Sequence, residues 1–453
     1  MNKKLFGTDG IRSLANNKIF DNLSLDIFSR AIVNNQRNLK IVIGRDTRQS
    51  SKVIEKMLIN GLKKNGATIY LAGLISTPAI SYFTKKFNCN LGIVVSASHN
   101  PYQYNGIKFF NENGEKLSDT NENIIENNFF KFEEDFKSLS STTKYFGSKS
   151  NGKGQIKKIK NPFLIYKKKI LSILKKKNLP KKLKVIVDCA NGSTYRISKY
   201  VFSKININSI YIKDKPDGKN INYKCGSLYP QNLINEVKKR SADFGISFDG
   251  DGDRVICCDE KGKIIDGDKI LACLAQYLFY KSRANQNAIV GTLMSNRGLE
   301  RFVNKIGLKF YRSEVGDKYV YKLMKRKKCF LGGEQSGHII LKEFGPSGDG
   351  ILISLYLIKI ISEYNKKASE IFDLYNSHFQ IQKNIKLRDS EDQKNKRINN
   401  LLKFYNNKII DNVRILIRFS GTEPVIRLLV EGEKYSKINL LAKKLQKKIN
   451  SLI

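Results

Sequence analysis

Residues 249–254 read Asp-Gly-Asp-Gly-Asp-Arg. The alternating glycines let the backbone curl tightly, so the carboxylates of Asp249, Asp251 and Asp253 can converge on one side of the loop. Three carboxylates this close repel one another unless a cation sits among them, and an all-oxygen set suits Mg²⁺ or Ca²⁺. Glu260 stands where an EF-hand loop would place its last ligand, yet Arg254 occupies the position that such a loop reserves for glycine. The preceding Gly245-Ile246-Ser247-Phe248 also reads as strand, not helix, which excludes the EF-hand. Mg²⁺ usually completes its octahedron with a phosphate oxygen. Ser98 and His99 supply a second constellation. They lie in Ser96-Ala97-Ser98-His99-Asn100-Pro101, a turn that follows the β-branched run Ile93-Val94-Val95. A hydroxyl beside a His at the end of a buried strand is placed to act as a nucleophile or phosphate carrier.

Two further loops carry polar groups of the right kind. Arg418, Ser420, Gly421, Thr422 and Arg427 put two guanidiniums and two hydroxyls around a glycine, a set that can wrap a phosphate. Glu334, Ser336 and His338 stand in a glycine-rich loop that permits close backbone approach and offers donors and acceptors suited to sugar hydroxyls. Of the three histidines, His378 lies in a plain segment and is assigned no role.

The elements that must position these loops alternate between strand and helix, which implies layered, largely parallel sheets. The expected order is helix 23–33, strand 41–43, helix 51–65, strand 68–71 and the strand before Ser96. Residues 137–160 are polar and nearly without periodicity, and mark the first boundary. A second unit runs from a basic helix at 164–176 through strand 184–187 to strand 244–248, which feeds the acidic loop. A third contains helix 269–280, strand 288–292, helix 299–305 and the apolar helix 351–361. Beyond a basic, Asn-rich stretch at 383–412 come strands 413–417 and 425–430 and a C-terminal helix. Ser436 is the expected cap of that helix, and Ile438, Leu441, Leu445 and Ile449 form its apolar face. The expected domains are 1–150, 151–254, 255–370 and 371–453.

Composition sets the outer bounds. The 82 Lys and Arg against 41 Asp and Glu leave a net charge of +41, enough to attract nucleic acid or an acidic membrane. The lysines are nevertheless spread through nearly every segment among Asn and Ile, and no zinc finger, RNP-like strand or basic heptad accompanies them. A solvated basic surface without specific nucleic-acid recognition is therefore expected, and sequence-drift toward A/T-rich codons accounts for it. The longest apolar stretch, 351–361, is broken by Ser354 and Lys359, so no membrane span is expected. The first ten residues lack the hydrophobic region of a secretory signal, and the seven cysteines form no C-x-x-C pair. Free thiols in apolar runs point to a reducing compartment, the cytoplasm.

Taken together, GTDGIR, SASHNP, DGDGDR, GGEQSGH and SGTEP, in this order and at these spacings, resemble the α-D-phosphohexomutase superfamily, and within it the branch that acts on glucosamine phosphates. The resemblance covers nearly the whole chain, with 146–160 matching poorly. It implies an α/β fold of three related α/β/α domains with mixed sheets plus a smaller α+β C-terminal domain around a central cleft. It implies that Ser98, next to His99, is a phosphoserine, and that Asp249, Asp251 and Asp253 hold one Mg²⁺ per chain together with its phosphate. Lys108, Arg12 and Arg254 would offset charge on the phosphoryl group in flight. Glu334, Ser336 and His338 would read the sugar, and Arg418, Ser420, Gly421, Thr422 and Arg427 would grip the phosphate that is not reacting. The implied reaction converts glucosamine 6-phosphate to glucosamine 1-phosphate through a 1,6-bisphosphate, with glucosamine or glucose 1,6-bisphosphate as activator, and supplies UDP-N-acetylglucosamine. A phosphomannomutase or phosphoglucomutase is the alternative within the superfamily, and a basic nucleic-acid-binding protein the alternative outside it. The partner implied is a small sugar phosphate, and the assembly stays open between a single chain and a homodimer. Two positions depart from the family pattern. Phe419 stands where Pro is usual, loosening the phosphate loop, and Ser13 where Gly is usual, crowding the turn after Arg12.

Overall fold

The run that leads into Ser96 is a strand, Leu91–Val95, buried at all five residues. Burial on both faces explains why its sequence is continuously apolar rather than alternating. In the computed structural model the chain is described except for residues 1–3, 8, 35, 37, 140–153, 175–181, 206, 283–286, 388–395, 407 and 421–423. Among the described residues the strands form four sheets.

The first sheet runs in the order Phe6–Gly7, Gly10–Leu14, Tyr104–Asn111, Leu91–Val95, Lys40–Arg45, Thr68–Leu74, Gln155–Lys158. Its inner strands are parallel, Lys40–Arg45 lying between Leu91–Val95 and Thr68–Leu74, while Tyr104–Asn111 and the N-terminal hairpin are antiparallel. Helices Asn22–Val33 and Gln49–Lys64 bury Ile27, Phe28, Ile54 and Leu58 against it. Asp21 caps the first of these by accepting from Ser24 N–H. The stretch read as a boundary contains helix residues up to Leu139 and a strand, Gln155–Lys158, that pairs parallel with Thr68–Leu71. The first sheet thus takes a strand from beyond residue 150.

The second sheet orders Ile264–Ile265, Val255–Asp259, Phe244–Phe248, Leu183–Asp188 and Ile207–Ile212, and so extends past residue 254. The acidic loop is the turn between the antiparallel strands Phe244–Phe248 and Val255–Asp259. The carboxyl ends of the parallel strands from both sheets meet. Thr47 Oγ1 donates to Asn191 O at 2.6 Å, and Thr77 N–H donates to Asp251 O at 2.9 Å. That is where open α/β sheets hold ligands. In the third sheet, strands Leu331–Gly333 and Ile339–Leu341 form the hairpin whose turn carries Glu334, Ser336 and His338.

Helix Gly350–Tyr364 is buried almost all round, which is why it lacks a polar face in the sequence. Among the described residues no helix is long and apolar enough to cross a membrane.

The chain divides into two compact units, the second made of 293–307 and 374–453. Helix Arg297–Lys305, expected in the third domain, makes its contacts within the second compact unit. This unit is an antiparallel sheet in the order Phe379–Lys386, Val425–Gly432, Val413–Phe419, Lys408–Ile410, with helices Lys396–Phe404 and Tyr435–Asn450. The Asn-rich stretch 383–412 therefore holds two strands and a helix that its lysines concealed. Ser436 is not a cap: the helix starts at Tyr435, and Lys434 precedes it without a side-chain cap. Its buried face is Ile438, Ala442, Leu445 and Ile449, with Leu441 half-buried beside it.

Candidate active site

Ser98 is 1% exposed and takes a left-handed backbone, φ 52°. A non-glycine residue there costs of order 1–3 kcal/mol and persists only where its surroundings hold it. Its Oγ donates to Asp249 Oδ2 at 2.6 Å and lies 3.2 Å from His99 Nδ1. Burial, then Arg254 and Arg12, pushes His99 down to about 3, so the ring is neutral at physiological pH.

The three carboxylates converge as their spacing implied. Asp249, Asp251 and Asp253 are all buried, with one oxygen from each lying within 4.8 Å of the others. Asp249 Oδ1 accepts from the backbone N–H groups of Gly252 and Arg254 at 3.0 and 3.2 Å. Asp251 Oδ2 accepts from Thr77 Oγ1 at 2.6 Å, while its Oδ1 is buried and has no hydrogen bond. Burial and the charges of Asp253 and Asp251 hold Asp249 well above the usual carboxylate range. Asp253 is lowered instead, because Lys108, His338 and Arg254 outweigh its burial. An orphaned buried oxygen, an all-oxygen donor set and mutual repulsion fit a bound metal ion, which would hold all three carboxylates ionised.

Cations crowd the same place. Lys108, 1% exposed, sits 2.7 Å from Asp251, 2.9 Å from Asp253 and 3.2 Å from Asp9. Those carboxylates outweigh the cost of burying its ammonium and raise its pKa well above the usual value. Arg12 pairs with Asp9 at 2.6 Å and donates to Asn100 Oδ1 at 3.2 Å, tying the N-terminal strand to the Ser98 loop. Arg254 brings its Nε to 4.0 Å from Asp253. Its half-buried guanidinium is held charged by Asp253 and Asp249 against the desolvation that opposes it.

On the neighbouring hairpin Glu334 is buried and accepts from Gly316 N–H at 3.0 Å. Its carboxyl is raised by burial, in part offset by His338. His338 Nε2 lies 3.1 Å from Asp317 Oδ2 and 3.0 Å from Gly348 N, so it can serve one of the two at a time. Asp317 and Asp253 outweigh burial and raise its pKa. Ser336 is exposed at the turn. Gln335 is turned elsewhere, donating to Asp266 at 3.2 Å. Glu260 is bound to Ser369 through N–H and Oγ, away from the acidic loop, which agrees with excluding an EF-hand.

Models of the phosphoglucomutase/phosphomannomutase family match all four parts of the chain. They are the α/β/α domains I, II and III at residues 3–136, 164–262 and 266–378, and the C-terminal domain at 383–448. The chain belongs to this family. Its curated relatives include the phosphoglucosamine mutases of Caldicellulosiruptor bescii, 40% identical across 99% of each chain, and of Nautilia profundicola, 39% identical across 98% of each. A phosphoglucomutase/phosphomannomutase family protein from Burkholderia thailandensis shares the fold at TM-score 0.82 and 22% identity, covering 99% of this chain and 97% of its own. The chain is accordingly an isomerase of the phosphohexomutase kind, with three α/β/α domains and a C-terminal domain.

In the C-terminal unit of this family member, Arg418 and Arg427 face each other directly across antiparallel strands. Ser420 N–H donates to Val425 O at 2.9 Å, whereas Gly421 and Thr422 fall outside the described residues. Phe419 ends its strand paired with Ile426 and packs into that unit's core. Ser13 sits within strand Gly10–Leu14 opposite Asn105, so it crowds no turn.

Several site residues escaped the sequence reading. Asp9 joins Arg12, Lys108 and Lys116, and Lys116 joins Asp9 to Asp317. Ion pairs thus run from His338 through Asp317, Lys116 and Asp9 to Lys108 beside the acidic loop. Asp9 stood inside a motif and could have been found there; Lys116 and Asp317 are single charges without any spacing signal.

Proposed function

We propose that the chain interconverts glucosamine 6-phosphate and glucosamine 1-phosphate, carrying a phosphoryl group on Ser98. The observation that carries this reading is the Ser98 hydroxyl, held in a strained backbone 2.6 Å from Asp249 inside a buried carboxylate cluster. A protein that only binds a sugar phosphate has no use for such a hydroxyl. In the first half-reaction the sugar O1 attacks phosphorus on Ser98: the O1–P bond forms, the Oγ–P bond breaks, and the sugar hydroxyl proton leaves to a base. The resulting 1,6-bisphosphate turns over. Ser98 Oγ, protonated as it left, then attacks the phosphorus on O6: the Oγ–P bond forms, the O6–P bond breaks, O6 takes up the proton that the base accepted from O1, and the Oγ proton has two acceptors within reach, Asp249 Oδ2 and His99 Nδ1. Lys108, Arg12 and Arg254 offset the charge spread over the phosphoryl oxygens in both steps.

Asp249, Asp251 and Asp253, with an oxygen on Ser98, would hold one Mg²⁺ per chain; when bound it supplies Lewis-acid polarisation of the phosphoryl oxygens. Glu334, Ser336 and His338 orient the sugar. Two guanidiniums directly opposite each other across paired strands, beside a hydroxyl, can be shared by one phosphate, which supports Arg418 and Arg427, with Ser420, Gly421 and Thr422, as the grip on the spectator phosphate. All seven cysteines are buried free thiols, which supports the cytoplasm as the compartment.

The preference for glucosamine rests on the relatives, since the Gln335 carboxamide is committed to Asp266. Coupled assays with the 6-phosphates of glucosamine, glucose and mannose, each with a trace of hexose 1,6-bisphosphate, test it. The largest kcat/KM is expected for glucosamine 6-phosphate. A larger value for mannose 6-phosphate contradicts the substrate assignment.

A further inference from the structure

The Ser98 loop is gripped from behind by two buried side chains that touch neither the acidic loop's carboxylates nor the sugar loop. Arg48 is 0% exposed, and its guanidinium is spent entirely on backbone and one carboxylate. Its Nη2 donates to Ser98 O and Asn100 O, both at 2.9 Å, its Nη1 to Pro101 O at 2.5 Å, and its Nε to Asp46 Oδ2 at 2.8 Å. Asn222, from the neighbouring sheet's domain and 7% exposed, donates through Nδ2 to the same two carbonyls, Ser98 O at 2.8 Å and Asn100 O at 2.9 Å. The two carbonyls that bracket His99 are thus each held twice. The amide side is fixed as well. Ser98 N–H donates to Ser96 Oγ at 2.9 Å, and Ser96 Oγ donates to Asp46 Oδ2 at 2.7 Å, the oxygen that also receives Arg48 Nε.

We infer that Arg48 and Asn222 are positioning residues that lock Ser98 in its left-handed conformation and so aim Oγ at the acidic loop. The inference rests on the reading of Ser98 as the phosphoryl carrier. A serine relaxes from φ 52° to an ordinary backbone unless its flanking peptides are pinned, and relaxation swings Oγ away from Asp249. Only a planar guanidinium can reach three carbonyls and a carboxylate at once; the single nitrogen of an ammonium reaches fewer. Because the side-chain bonds of both residues go to the backbone of the Ser98 loop and to Asp46, losing either changes how often the carrier is correctly aimed and leaves substrate affinity alone.

The test uses the full-length protein and the variants Arg48→Lys and Asn222→Gly, with Ser98→Ala as the reference. Glycine tolerates the φ of 58° at position 222, so Asn222→Gly removes the two donated bonds without backbone strain. Folded Asn222→Gly should keep the wild-type KM for glucosamine 6-phosphate while kcat falls roughly 10²-fold, the effect of misplacing a reacting atom by about 1 Å. The rate at which hexose 1,6-bisphosphate adds one phosphate to Ser98, read by intact mass, should fall by the same factor. Arg48→Lys should behave likewise, and the double variant should lose less than the product of the two, since both grip the same carbonyls. A merely structural role would lower the melting temperature and leave kcat and the phosphorylation rate of the folded fraction unchanged, and that result overturns the inference. If Arg48→Lys does not fold, Asn222→Gly alone decides. Full turnover by Ser98→Ala would instead remove the carrier reading itself, whatever the two variants do.

Discussion

Asp251 Oδ1 has no hydrogen bond although it is buried, and burying an unpaired carboxylate oxygen is costly enough that a partner should be measurable. Added Mg²⁺ should therefore raise the melting temperature of protein stripped with EDTA. An ion at about a hundred times its Kd stabilises the folded state by about 2.7 kcal/mol. The shift should vanish in Asp251→Asn; an equal shift in that variant would take the triad out of metal binding. At this scale the sequence was most readable where spacing itself encodes geometry. The alternation of Asp249, Asp251 and Asp253 with glycine forces convergence, so the cluster could be named in advance. Lys116, Asp317 and Arg48 could not, because a lone charge in a chain with 82 Lys and Arg carries no positional signal until the fold brings it to a partner.

Between elements, the acidic loop and the Ser98 loop approach so closely that side-chain volume becomes limiting. A Cβ on Gly250 would lie 2.6 Å from Ser98 O and 2.9 Å from Asn222 Nδ2. Gly250→Ala should thus push the two loops apart, destabilise the protein by about 1–3 kcal/mol, and cut turnover far more than substrate binding. Denaturant melts and steady-state kinetics on one preparation check this; unaltered kcat would show that the loop contact is not needed for chemistry. Elements buried on both faces, such as Leu91–Val95 and Phe244–Phe248, were legible because their apolar runs have strand length. Gln155–Lys158 was not, since it is a short, exposed edge strand written in polar residues. Its pairing to Thr68–Leu71 is a tertiary choice that no local pattern announces. The apolar period of the C-terminal helix is plain in the sequence but its start is not, because Ser436 has the chemistry of a cap and lies inside the first turn.

Over the whole molecule, the order of five motifs identified the family, whereas composition alone pointed at a basic surface and little else. The net charge of +41 lies on scattered lysines, whereas the buried Lys108 and the half-buried Lys116 are tied to carboxylates. What those buried charges serve is the central claim, that one phosphoryl group rides on Ser98 between substrate and product. The most direct measurement is to load the full-length protein with labelled phosphate from hexose 1,6-bisphosphate, map it, and chase with unlabelled glucosamine 6-phosphate. The label should sit on the Ser98 peptide of wild-type protein and be absent from Ser98→Ala. On the chase it should leave as sugar bisphosphate and then appear in glucosamine 1-phosphate. Label that never maps to Ser98, or that leaves only as inorganic phosphate while turnover continues, would contradict the account.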